Sequence, residues 1–192
     1  MSTREELPQR KTPRAKWLEY NDGEYFVTVC TCERKHYFGQ IEDDIMTLSL
    51  IGKCLDTMLM DASKYQSYIH VSQYVIMPNH FHAIISIDSN EFKDNPKVGT
   101  QYIASEKSNT NICQADAMYC VPTTKGYKLP LLSSFIALLK AAVTRYAHKN
   151  NLAFAWQSRY HDHAIRDYND KNNITQYIAN NVLNWKKDCF YQ

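Results

Sequence analysis

The chain has 192 residues, 44% of them hydrophobic and 22% charged, with a formal net charge of +2. That length suits one domain with a sizeable core, and no apolar run reaches the roughly 18 residues of a membrane span, so no membrane partner is expected. The near-neutral total neither demands nor forbids a nucleic-acid partner, but the charge is uneven: residues 131–166 carry Lys140, Arg145, Lys149, Arg159 and Arg166 against Asp162 as the one acid, a balance that suits an anionic substrate.

Residues 1–16 read as an extended basic arm containing Arg10, Lys11 and Arg14; they have no apolar stretch of the kind that marks a secretory signal. Without such a signal the six cysteines are expected to be reduced thiols, and Cys30-Thr31-Cys32 is spaced too closely for a structural zinc knuckle. Glu24–Thr31 is rich in aromatic and β-branched residues and predicts an interior strand. A loop over 32–40 should follow, then a helix over roughly Glu42–Ser63, where Ile45, Leu48, Ile51, Leu55, Met58 and Leu59 recur at threes and fours. Asp43 and Asp44 suit the N-terminus of that helix. Ile69–Met77 and His80–Ile87 predict two strands joined by a tight turn around Pro78-Asn79.

Residues 89–130 keep no period and read as an insertion within the single domain, with Lys125 and Lys128 near its end. The spacing of Leu132, Phe135, Ile136, Leu139 and Val143 predicts a helix over Leu131–His148. A short strand over Tyr160–Ile165 and a last helix over about Lys171–Asn180, capped by Asp167 or Asn169, complete the chain. Strand, helix, strand, strand, helix, strand is an α+β, ferredoxin-like split β-α-β pattern; it predicts an antiparallel sheet with helices on one face.

The chemistry concentrates at His80-Phe81-His82. Alternation along a strand puts both histidines on one face and Phe81 on the other. Two imidazoles side by side on a rigid strand can supply two ligands of a divalent-metal site.

Met77-Pro78-Asn79-His80-Phe81-His82 resembles the histidine–hydrophobe–histidine motif of the IS200-like transposase superfamily, single-tyrosine nucleases of the HUH type. Further blocks resemble its branch of repeat-associated tyrosine transposase-like proteins. They are Tyr25–Thr31 in the first strand, Ser133-Ser134-Phe135 with Lys140 and Thr144-Arg145-Tyr146 in a helix, Trp156–Arg166, and Tyr177–Val182 near the end. The resemblance spans roughly residues 14–186 apart from the insertion. It departs at Val182, where the pattern has proline, a residue that would stop the helix.

The resemblance implies Tyr177 as nucleophile and His80, His82 and Asn181 as ligands of Mg²⁺ or Mn²⁺. Residues i and i+4 share a helix face, so Tyr177 and Asn181 can point the same way. The implied reaction is cleavage and rejoining of single-stranded, hairpin-flanked DNA through a 5′-phosphotyrosine, in a cytoplasmic, nucleoid-associated protein. His161, Asp162 and His163 are expected to support the site from behind the ligands. Lys140, Arg145, Arg159, Arg166 and the arm residues Arg10, Lys11 and Arg14 are expected to contact phosphates. Monomer and homodimer are both open. The alternatives are a DNA-hairpin-binding relative that has lost cleavage, an RNA-binding module, and a hydrolase that uses water in place of tyrosine.

Overall fold

A computed structural model describes residues 20–94 and 130–191. The basic arm with Arg10, Lys11 and Arg14, the bulk of the expected insertion with Lys125 and Lys128, and Cys113 and Cys120 lie outside the described residues. In chain order the elements are β1 (Gly23–Cys30), β2 (Gly39–Glu42), β3 (Ile45–Leu48), α1 (Leu50–Met60), α2 (Ala62–Tyr65), β4 (Ile69–Met77), β5 (His80–Ile87), α3 (Ser89–Asp94), α4 (Leu131–Lys149), β6 (His161–Ile165) and α5 (Tyr168–Asn180). A 3₁₀ turn at Trp185–Lys187 follows.

Four strands form one antiparallel sheet in the order β4-β5-β1-β6. Each helix-containing crossover skips one strand, which is the split β-α-β arrangement expected from the sequence. The register fixes the two faces. Tyr25, Val27 and Val29 of β1 stand beside Ile85, Ala83 and Phe81 of β5. They form a buried core with Leu55 and Leu59 of α1 and Leu132, Phe135, Ile136, Leu139 and Val143 of α4. The opposite face carries Phe26, Thr28 and Cys30 beside Ile84, His82 and His80. The expected helices α1 and α4 cover the first face, whereas α5 lies over the second.

The expected helix over 42–63 is corrected. Its first part is the hairpin β2–β3, and its end is the separate turn α2. Asp43 and Asp44 do not start a helix; they form the two-residue hairpin turn, with φ of 50° and 59°. Left-handed φ at both central positions belongs to the tight turns whose twist matches paired strands, and Asp tolerates it better than most residues. α1 starts instead after Ser49, whose Oγ accepts from Gly52 N at 3.1 Å. Gly52 is required there because a Cβ would strike the Phe38 carbonyl. Asp167 caps α5, its Oδ1 accepting from Asp170 N at 2.9 Å.

Candidate active site and metal centre

β5 presents the histidines because its turn is short. Pro78 and Asn79 alone separate Met77 from its partner His80, so alternation along β5 starts with His80 facing α5. Phe81 is fully buried in the core on the other side. The Nε2 atoms of His80 and His82 converge to 3.0 Å.

Their outer nitrogens are fixed by a chain of bonds that can be read in one direction. Asn79 Nδ2 donates to the Phe190 carbonyl at 2.8 Å, which turns Asn79 Oδ1 toward His80 Nδ1, also at 2.8 Å. A carbonyl oxygen can only accept, so His80 carries its proton on Nδ1 and its Nε2 lone pair is bare. His82 Nδ1 is paired with Thr28 Oγ1 at 2.8 Å. Burial pushes His80 down to about 2 and His82 down to about 3, with the neighbouring His82 adding to the effect on His80. Both rings are therefore neutral at physiological pH, the form that ligates metal.

α5 brings the oxygen groups. Tyr177 is 44% exposed, and its Oη lies 3.3 Å from His82 Nε2. Phe26 stacks on His82 at 5.2 Å and meets Tyr177 edge-on. Burial raises the Tyr177 phenol above its usual range and the Asp188 charge adds to this, while a hydrogen bond from the Asn181 side chain opposes them. Asn181 follows one turn after Tyr177 and is 3% exposed. It keeps helical backbone angles, φ −63° and ψ −42°, and the chain continues in helical turns beyond it, with Asn184 N donating to Asn180 O. Val182 permits this, where proline at 182 would remove a donor and clash with the preceding turn.

The sequence reading missed Asp188. Its carboxylate lies 3.9 Å from His80 Nε2 with a side chain only 4% exposed, and His80, His82 and Asp188 bring their ligand atoms within 4.8 Å of one another. The available signal is thin: Asp188 is the one acid after Asp170, set in the aromatic stretch Trp185–Tyr191. That stretch folds over the histidines. Phe190 packs 4.4 Å from the His80 ring, and Arg34 Nη1 donates to the Cys189 carbonyl at 2.8 Å while its guanidinium lies over Phe190.

A divalent ion fits these donors. Two bare or freeable imidazole nitrogens converge beside the Asp188 carboxylate, and Asn181 Oδ1 is buried with no hydrogen-bond partner. An orphaned buried carbonyl oxygen costs free energy that a bound cation would offset. Second nitrogens held by neighbours are the usual support of metal-ligating histidines.

The supporting residues divide. His163 donates from Nε2 to Asp170 Oδ2 at 2.8 Å, tying β6 to the first turn of α5. His161 is exposed opposite Thr28 on the histidine-bearing face. Asp162 is paired with Val27 and so falls on the core side of the sheet; alternation turns it away from the histidines, correcting the expectation that it supports them. Lys140 is engaged within the protein. Its Nζ donates to the carbonyls of Gln157 and Arg159, both at 2.8 Å, and lies over the Trp156 ring. Burial pushes it down to about 8, and its two bonds latch the 157–159 loop onto α4. Arg145, Arg159 and Arg166 are exposed.

No protein-family model matches the chain. An uncharacterized protein of Haemophilus influenzae (strain ATCC 51907 / DSM 11121 / KW20 / Rd) is 29% identical over 187 residues, covering 96% of this chain and 94% of that one. Among solved structures, a REP-associated tyrosine transposase bound to a REP hairpin superposes with a TM-score of 0.52 at 16% identity, covering 92% of this chain and 74% of that chain. The chain thus has a tyrosine-transposase-like fold, in accord with the resemblance read from its sequence blocks. Among the described residues no helix is long and apolar enough to cross a membrane.

Proposed function

We propose that this protein is a metal-dependent single-stranded DNA endonuclease and transposase that cleaves and rejoins hairpin-flanked DNA through a 5′-phosphotyrosine. One observation carries the reading: a half-exposed phenol, Tyr177, lies 3.3 Å from Nε2 of His82, one of two neutral histidines that converge on each other. The REP hairpin on the fold neighbour supports hairpin DNA as the partner, and a protein with that substrate would work in the cytoplasm, at the nucleoid.

In this mechanism Tyr177 Oη attacks phosphorus, the bond to the 3′ oxygen breaks, and the strand leaves with a free 3′-hydroxyl. His80, His82, Asn181 and Asp188 would hold Mg²⁺ or Mn²⁺, which when bound supplies charge stabilisation to the phosphate oxygens. Asn181 donates to the Tyr177 oxygen and so favours its anion. Phe26 packs against the Tyr177 and His82 rings and limits their rotation. Rejoining is the reverse step with another 3′-hydroxyl, so no nucleotide energy source is needed.

Covalent trapping tests this. Hairpin DNAs from the flanks of the gene, labelled at the 3′ end that a 5′-phosphotyrosine retains, incubated with Mn²⁺ and run on a denaturing gel, should travel with wild-type protein and not with Tyr177→Phe or in chelator. An adduct that survives Tyr177→Phe would assign the chemistry to another residue. A second reading, hairpin binding without cleavage, draws on the burial of His80 (0%) and His82 (2%) beneath Phe190 and Trp185. It predicts tight hairpin binding with no adduct.

A further inference from the structure

Outside the histidine pair, a cleft of ≈ 550 Å³ opens on the solvent side of Tyr177. Its wall is a row of carboxamides from α5 and the turn after it, among them Gln176, Asn180 and Asn184, with Lys187 at the rim. The orientation of two of them is fixed. Asn180 Nδ2 donates to the Gln176 carbonyl at 2.9 Å, and Asn184 Nδ2 donates to the Asn180 carbonyl at 3.0 Å. One N–H of each is held by the helix backbone, leaving an oxygen acceptor and a second N–H donor side by side.

An adjacent acceptor and donor is what a nucleobase edge requires, and carboxamides are the neutral side chains best matched to it. A base in a duplex has its pairing edge occupied, whereas an unpaired base offers that edge freely. The electrostatics agree. Asp188 also borders the cleft, but its side chain is only 4% exposed, with one oxygen accepting from Phe190 N and the other facing His80, whereas Lys187 is the exposed charged residue of the lining. The volume falls in the range of small-ligand sites.

We propose that this cleft seats one unpaired nucleotide adjoining the scissile phosphate, its base edge held by Asn180 and Asn184 and its phosphate by Lys187. The assignment to the nucleotide next to the cleaved bond rests on the function proposed above; the base-holding role stands on the cleft itself.

The test uses full-length protein and two fluorescein-labelled probes, a twelve-residue deoxycytidine strand and a strand of the same length made of abasic sugar phosphates. Wild type should bind the deoxycytidine strand at least fivefold tighter in anisotropy titrations. Asn180→Ala/Asn184→Ala should bring the two strands within twofold, with abasic-strand affinity unchanged. Lys187→Ala should weaken both strands alike and reduce the salt slope by about one. Both asparagines are exposed, and the single variants Asn180→Ala and Asn184→Ala, checked by circular dichroism, serve if the double variant misfolds.

Equal wild-type affinity for the two strands overturns the proposal, as does a preference that persists in folded variants. A thiol-tethered cytosine strand, supplied as its mixed disulfide with cysteamine, gives a second readout. Cys189, which borders the cleft, should displace cysteamine and capture the strand in wild type more than tenfold faster than in Asn180→Ala/Asn184→Ala. Equal capture rates count against the proposal. Neither readout needs cleavage, so loss of the Tyr177 adduct would overturn the proposed chemistry and leave this site standing.

Discussion

A histidine that is buried and neutral makes folding depend on pH in a defined direction. His80 and His82 have folded pKa values of about 2 and about 3, below the ordinary 6.5. The unfolded chain therefore binds more protons between those values, so their contribution to stability is present above about 6.5 and is lost as the pH falls. At pH 5 the loss is about 2 kcal/mol per histidine, a figure that requires only that the folded pKa lie well below 5. Chelator-treated protein should melt markedly lower at pH 5 than at pH 7.5, and His80→Gln, which cannot titrate, should flatten part of that slope. Equal melting temperatures at the two pH values would mean that the rings accept protons in the folded state.

At the scale of elements, α4 and α5 are held in different ways. α4 buries seven residues, including Leu132 and Val143 at 0% exposure, whereas α5 buries Ile178 alone. α5 is secured instead by polar pegs: Lys171 Nζ to Glu24 Oε1 at 2.7 Å, His163 to Asp170 at 2.8 Å, and Gln73 Nε2 to the Thr175 carbonyl at 3.2 Å. Leu132→Ala should cost about 2–5 kcal/mol in denaturant unfolding. Lys171→Ala should cost less than about 1 kcal/mol, because its ion pair is partly solvated, yet should reduce the Tyr177 adduct severalfold by loosening the helix that carries the phenol. A Lys171→Ala protein with full adduct yield would show that the pegs do not position Tyr177.

The same contrast explains what the sequence made legible. α4 has one period and one face, so its bounds are read to within a residue. β4, β5 and the facing of His80, His82 and Phe81 follow from alternation and a two-residue turn. The hairpin β2–β3 was hidden because Ile45 and Leu48 fit a helical spacing with Ile51 and Leu55 as well as they fit a strand, and Asp43-Asp44 suits a helix start as well as a left-handed turn. Asp188 was hidden because its place beside His80 depends on an irregular turn held by Arg34 and Asn79, contacts that no local pattern encodes.

At the scale of the whole molecule, the chain's end closes over its middle. Asn79, Arg34 and the His80 ring all grip Cys189 and Phe190, while Lys186 and Lys187 on the same turn are exposed. On the proposed metal role, an ion that uses Asp188 together with the histidines favours the docked turn, and linkage makes the docked turn favour the ion. Mn²⁺ should therefore slow tryptic cleavage after Lys186 and Lys187 in wild type and not in His82→Gln. Equal cleavage rates with and without Mn²⁺ would separate the turn from the ion.

Asn79 gives this closure a further chemical meaning. Its amide grips the Phe190 carbonyl with the nitrogen and holds His80 Nδ1–H with the oxygen. Once Phe190 lifts away, that amide is free to rotate by half a turn and offer a donor where an acceptor stood. His80 then keeps its hydrogen bond only by moving its proton from Nδ1 to Nε2, and the lone pair facing His82 is gone. The docking of residues 188–190 is thus coupled to the tautomer of a ring at the first position of an interior strand.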